Sequence, residues 1–319
     1  MIKSRSMVCA LALVAGFAVG AAQAAEKVRV GLAAPGYTPY AAVQAAEELG
    51  FYKAKGLEVE ITTYRGGGAA QEALAAGAAD MISFFPPGVA LAIQKGVKQK
   101  IVAAGAGITP RGWYILVPKD SPIQSLKDLD GKKIGITSKG ATTDFFALWG
   151  AKQGGATAQL IPLGGAGVLT ALKAKQIDAA VLWPNLSYKA MLEDGARSIA
   201  DLGAIMEPNL PESWVATQDM IDKRPEVLRA FLQAVMKSAA YMQKNEAFSI
   251  AFVKKYTGEN DDRIAKMAYD TVVKNFGTDG VIKPEWLRAA IALAALAGPA
   301  EMPKIEDIYT DKFYPVKFE

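Results

Sequence analysis

Three kinds of residue gather where this chain can hold a ligand: glycines, threonines and aromatic rings. Glycine-rich turns stand at residues 65–68 (Arg-Gly-Gly-Gly) and 164–167 (Gly-Gly-Ala-Gly), each opening onto a helical pattern. Glycine lets backbone amides approach a ligand, and the helix that follows offers unpaired N–H groups at a positive dipole end. Together these favour carboxylate, sulfonate, nitrate or phosphate groups. Gly67, Gly68 and Gly165 are the candidates. Thr142 and Thr143 fit N-cap or first-turn positions, where a hydroxyl either caps the helix or turns toward a ligand. Rings crowd the same turns: Tyr37, Tyr40, Phe84, Phe85, Trp113, Trp183, Tyr188 and Trp214. Apolar, stacking walls suit a small organic ligand better than a bare ion. Strand alternation points Phe84 and Phe85 to opposite faces, so at most one meets ligand while the other packs. Arg111 precedes an aromatic strand and is read either as an anion partner or as a solvated arginine between domains.

Composition removes other chemistries. The chain has no histidine and a single cysteine, Cys9, inside an apolar run near the start. Lys3 and Arg5, the apolar run over residues 7–19 and Ala22-Gln23-Ala24 meet the description of a cleavable secretory signal, cut after Ala24. Cys9 then leaves with the leader, and neither thiolate nor imidazole remains to ligate zinc or haem or to activate a nucleophile. No catalytic residue, metal or cofactor is expected. The formal charge of +4 becomes +2 without Lys3 and Arg5, and the basic residues are scattered, so nothing suggests nucleic acid. Gly165-Ala166-Gly167 lacks the third glycine of a dinucleotide fingerprint, and no Walker-type loop exists.

The elements that must position these turns follow a βαβ rhythm. Strands are expected over residues 28–33, 57–63 and 80–85, with helices over 41–49 and 69–76 between them. A second block repeats the order with strands at 133–137, 159–163 and 178–183 and helices at 144–152 and 167–175. At a constant offset of 98, Gly66, Gly67, Ala73, Leu74, Ala76, Asp80 and Pro86 match Gly164, Gly165, Ala171, Leu172, Ala174, Asp178 and Pro184. Earlier, at an offset of 104, Gly31, Gly36 and Thr38 match Gly135, Gly140 and Thr142. One α/β lobe is thus repeated. Asp80 and Asp178 precede their strands, away from the carboxyl ends, and belong to turns. The expected division is lobe I over residues 25–112 and 218–319, lobe II over 120–212, and hinge strands over 113–119 and 213–217. The tail after 225 reads as helices, with Pro225 and Pro284 at helix starts. Ligands of open parallel sheets bind beyond the carboxyl ends of the strands.

The run Tyr40-Ala-Ala-Val-Gln-Ala-Ala-Glu-Glu-Leu-Gly-Phe-Tyr52, then Gly56-Leu57-Glu58-Val59, Gly66-Gly-Gly, Asp80 and Ala92-Ile-Gln-Lys-Gly96, resembles the nitrate/sulfonate/taurine (SsuA/THI5-like) family of ABC-transporter periplasmic solute-binding proteins. The resemblance covers nearly the whole chain after the leader. It implies an α/β, type II periplasmic binding fold of two lobes joined by two crossing strands, closing on ligand by hinge motion. It implies a cleft lined by Tyr37, Tyr40, Gly67, Gly68, Phe84, Pro86, Thr142, Thr143, Trp183 and Asn185. The partners it implies are a small-molecule ligand and the permease and ATPase subunits of an importer, with the chain acting in the periplasm as a monomer. Trp183-Pro184-Asn185 lacks the Glu-Pro pairing looked for in amine binders, so the expected ligand is an organic anion with an apolar or aromatic body. The rival readings are a pyrimidine-precursor-type binder or enzyme, and a ligand-sensing partner that does not transport.

Overall fold

The computed structural model describes residues 24–105, 107, 109–298 and 301–319. Residues 1–23 of the expected leader lie outside the described residues. Among the described residues no helix is long and apolar enough to cross a membrane.

The first half of the chain alternates strand and helix: β1 (Glu26–Leu32), α1 (Ala41–Glu48), α2 (Phe51–Ala54), β2 (Leu57–Thr63), α3 (Gly67–Ala75), β3 (Met81–Phe84), α4 (Pro86–Gln94), β4 (Gln99–Ala104). A second set follows: β5 (Tyr114–Val117), β6 (Lys133–Ile136), α5 (Thr142–Gly154), β7 (Gln159–Pro162), α6 (Gly164–Lys173), β8 (Ala179–Leu182), α7 (Leu186–Leu192), β9 (Arg197–Asp201), then a short α8 (Leu202–Ile205) and β10 (Ser213–Thr217). Two five-stranded mixed sheets result, in the orders β2-β1-β3-β10-β4 and β7-β6-β8-β5-β9. The architecture is the expected α/β, two-lobed binding fold.

The repeat is visible in the register. Val30 faces Met81 across β1 and β3, and Ile134 faces Ala179 across β6 and β8, which are the positions related by offsets of 104 and 98. The paired aspartates act alike. Asp80 Oδ2 accepts the backbone N–H of Arg29 and Asp178 Oδ2 accepts that of Lys133, each at 2.8 Å, so each pins the start of a central strand. Both belong to the ends of the sheets opposite the glycine turns, in keeping with a turn role.

The strands expected to cross between lobes do not cross. Tyr114–Val117 is an interior strand of the second sheet, antiparallel to β8 and β9. Ser213–Thr217 is interior to the first, antiparallel to β3 and β4. Their aromatic and β-branched sequences are those of buried strands, and burial in a sheet is what they achieve. The crossing falls to the connections between β4 and β5 and between β9 and β10, which are tied to each other at both ends: Gly105 N donates to Glu212 O and Leu202 N to Trp113 O, both at 3.0 Å.

The tail packs on the first lobe. In α10 (Pro225–Lys244), Leu228, Phe231, Leu232, Val235, Met236, Ala239 and Met242 form one buried face at helical spacing. Tyr52 stacks on Phe231 at 5.8 Å between ring centroids. Then come α11 (Glu246–Thr257), α12 (Asp262–Thr271) and α13 (Pro284–Ile291), with Pro225 and Pro284 in the first turn of their helices as the sequence suggests. The chain end returns to β4, where Thr310 N donates to Ile101 O at 2.9 Å.

Candidate functional site

The carboxyl ends of β1 and β6 face each other across the gap between the lobes, and the turns that follow them build its floor. A small cavity opens there, lined by Ala33, Ala34, Tyr37, Tyr40 and Gly67 from the first lobe and Thr137, Ala141, Thr142, Thr143 and Trp183 from the second. Trp113 and Glu212, from the two crossing segments, complete it. Tyr37 stands edge-on to three rings, with centroids 4.8 Å from Tyr40, 5.6 Å from Trp113 and 6.5 Å from Trp183. Trp113 Nε1 donates to the Tyr37 hydroxyl at 3.2 Å, whereas Trp183 Nε1 is buried with no acceptor. A buried donor left unpaired is costly.

Local sequence explains the floor. A Cβ on Gly67 would stand 2.2 Å from the Phe84 ring and one on Gly88 2.4 Å, so only glycine lets α3 and α4 approach β3 this closely. At the start of α5, Thr143 is committed: its Oγ1 accepts Thr137 N at 2.9 Å and pairs with Thr137 Oγ1 at 2.9 Å. Asp144 Oδ2 accepts Gly140 N at 2.8 Å, and burial holds its carboxyl above the usual carboxylate range. The turn before α5 therefore already holds an acid.

Glu212 was not singled out by the sequence, yet it is the acidic side chain of the cavity. It is 4% exposed, and its Oε2 accepts Ser83 Oγ at 3.0 Å and the Tyr40 hydroxyl at 3.4 Å. Burial pushes its carboxyl up to about 8, against the lowering effect of the Ser83 and Tyr40 hydrogen bonds. Burial, seconded by the negative charge of Glu212, also raises Tyr37 and Tyr40 well above the ordinary tyrosine value. Glu212 also lines a small inner chamber with Ser83, Trp214 and Phe276, and a side cavity with Arg111 and Thr109.

Seven sequence-predicted residues thus meet in the cavity: Tyr37, Tyr40, Gly67, Trp113, Thr142, Thr143 and Trp183. The others lie elsewhere. Phe84 is core, filling the space under Gly67 and Gly88, and Phe85 packs on Phe145 and Phe146. Pro86 is the buried first residue of α4, and Trp214 faces the inner chamber against Phe231. Gly68 lies against Ser138. Gly165 donates its N–H across the gap to Arg65 O at 3.1 Å and borders an outer opening. Arg111 is exposed and faces the side cavity. Asn185 bridges the lobes, its Oδ1 accepting Thr38 Oγ1 at 2.6 Å.

The family model described as NMT1/THI5 like matches residues 38–247. The chain belongs to the NMT1/THI5-like family. Among curated relatives of this NMT1/THI5-like chain, a binding protein of Brucella abortus (strain 2308) is 26% identical over 78% of the chain and 75% of its own length. Among solved structures, a protein of Bordetella bronchiseptica RB50 superposes with a TM-score of 0.78 at 24% identity, covering 90% of this chain and 95% of that one. The alkanesulfonate-binding protein SsuA of Xanthomonas axonopodis pv. citri, bound to MOPS, gives 0.76 at 17% identity over 90% and 99%. A ligand-binding component of an ABC-type import system from Staphylococcus aureus gives 0.75 at 18% over 91% and 98%. These structures share the two-lobed fold of this family member.

Proposed function

We propose that the protein is the ligand-binding component of an ABC-type importer, exported to the periplasm by a leader cut after Ala24 and acting as a monomer. It captures a small organic ligand between its lobes and delivers it to permease and ATPase subunits. One observation carries this reading: the cavity is walled by rings from the first lobe (Tyr37, Tyr40), the second (Trp183) and a crossing segment (Trp113), so only a closed molecule touches a ligand on every side. The solved neighbours, an alkanesulfonate-binding protein and a ligand-binding component of an import system, agree with it. Catalysis is not part of the proposal, since the chain has no histidine and its one cysteine stands in the expected leader.

The test is a thermal-shift screen of refolded protein against sulfonates, carboxylates, nitrate, pyrimidines and amines, because a ligand of the native state raises its melting temperature by mass action. A hit should weaken about tenfold in Trp183→Phe, in line with the loss of one hydrogen bond to a buried N–H, while ligand-free melting stays unchanged. A hit indifferent to Trp183 would place the ligand elsewhere and overturn the reading.

A further inference from the structure

We propose that the ligand held in this pocket is a small organic cation, a nitrogen base in its protonated form, seated on the Glu212 carboxylate within the aromatic walls. The proposal rests on the receptor reading above and names its substrate class.

Glu212 is buried where the ring-walled cavity, the inner chamber and the side cavity meet. Its partners are two neutral hydroxyls, and no Lys or Arg among the described residues forms an ion pair with it. A buried carboxylate is retained where a cation or a set of donors compensates it. The cavity offers what a cation needs: a carboxylate at one side and the rings of Tyr37, Trp113 and Trp183 in its walls, since aromatic π-systems attract positive charge. It offers an anion the unpaired Trp183 N–H but no countercharge. None of its lining residues is basic, and α5 begins beside the Asp144 carboxyl. The first turn of α4 begins with Pro86 and Pro87, which have no N–H. Arg111 lies on the side cavity, beyond Glu212.

The titratable groups facing Glu212 are Tyr37 and Tyr40, both neutral, with Arg111 sharing the side cavity; α10 contributes only Val235, Met236 and Ala239, and the 271–277 stretch Thr271, Asn275 and Phe276. With Glu212 pushed up to about 8, roughly one molecule in ten is ionised at pH 7, so cation affinity is reduced about tenfold there.

The experiment is calorimetric titration of the refolded protein with phenyltrimethylammonium, whose charge does not titrate, and with phenylmethanesulfonate, of similar size. The expected result is that the cation binds, tightens about tenfold from pH 6 to pH 7 and levels off above pH 8. Glu212→Gln should lose about a hundredfold at pH 8 together with the pH dependence, whereas Trp183→Phe keeps the pH dependence. Binding of the sulfonate, or a Glu212→Gln protein with wild-type cation affinity, would overturn the cation assignment and leave the receptor reading standing. Binding of neither probe would overturn the cation assignment, and the receptor reading would then be decided by the wider thermal-shift screen.

Discussion

A carboxyl whose pKa is raised by folding holds its proton more tightly in the native chain than in the unfolded one. For Glu212, with an ordinary value of 4.5 and about 8 in the fold, the unfolded chain carries fewer protons between those limits. Its contribution to stability is therefore complete below pH 4.5 and is lost as pH rises to 8, at up to about 1.4 kcal/mol per pH unit. Denaturant unfolding at pH 5 and pH 8 should show wild type losing stability relative to Glu212→Gln across that window. Parallel behaviour would mean that water, not protein, surrounds the carboxyl. At this scale the sequence revealed rings and threonines at strand ends, because each chemistry announces itself by residue type beside a turn. It hid Glu212, a lone acid after Pro211 with no periodicity or partner nearby in the chain. It also misplaced Phe84, whose burial depends on two glycines distant in sequence from one another, Gly67 and Gly88.

The first turn of α5 separates two neighbouring threonines by role. Thr143 satisfies Thr137 twice over, so Thr143→Val should cost about 1–3 kcal/mol by leaving a buried N–H without its acceptor. Thr142 makes no side-chain cap to its helix and borders the cavity, so Thr142→Val should change ligand affinity while stability stays within about 0.5 kcal/mol. Chemical denaturation of both variants checks the pair; equal destabilisation would show that Thr142 also holds the turn. Helix α10 was legible because its apolar spacing and the proline at its start agree. Strands β4 and β9 were not. Gln99-Lys-Ile-Val-Ala-Ala shows no alternation, since four of its last residues are buried in succession, and Arg197–Asp201 is a short edge strand bounded by charges.

Between the lobes, Asn185 holds a backbone conformation of φ 76° and ψ −61°, a region that costs a non-glycine residue on the order of 1–3 kcal/mol. What it gains is the contact with Thr38 in the opposite lobe. Asn185→Gly relaxes the backbone and removes the bridge, so the ligand-free protein should open: small-angle scattering should show a larger radius of gyration, with the melting temperature near wild type. An unchanged radius would show that Gly165 and Arg65 close the gap unaided. The duplication of lobes was readable at this scale because a repeat keeps its offsets. The place of crossing was not, because it depends on which sheet each apolar strand joins.

Glu212 is tied to Gly105 in the neighbouring crossing segment, and so stands beside the axis about which either lobe would turn. Atoms near an axis travel little, while those farther out along the gap, such as Gly165, sweep a wider arc. An arriving molecule is therefore met by the acid in its final position whether the jaws are apart or together. In the receptor proposed above, charge would thus be inspected first, at the fulcrum, and shape graded afterwards as the lobes come together.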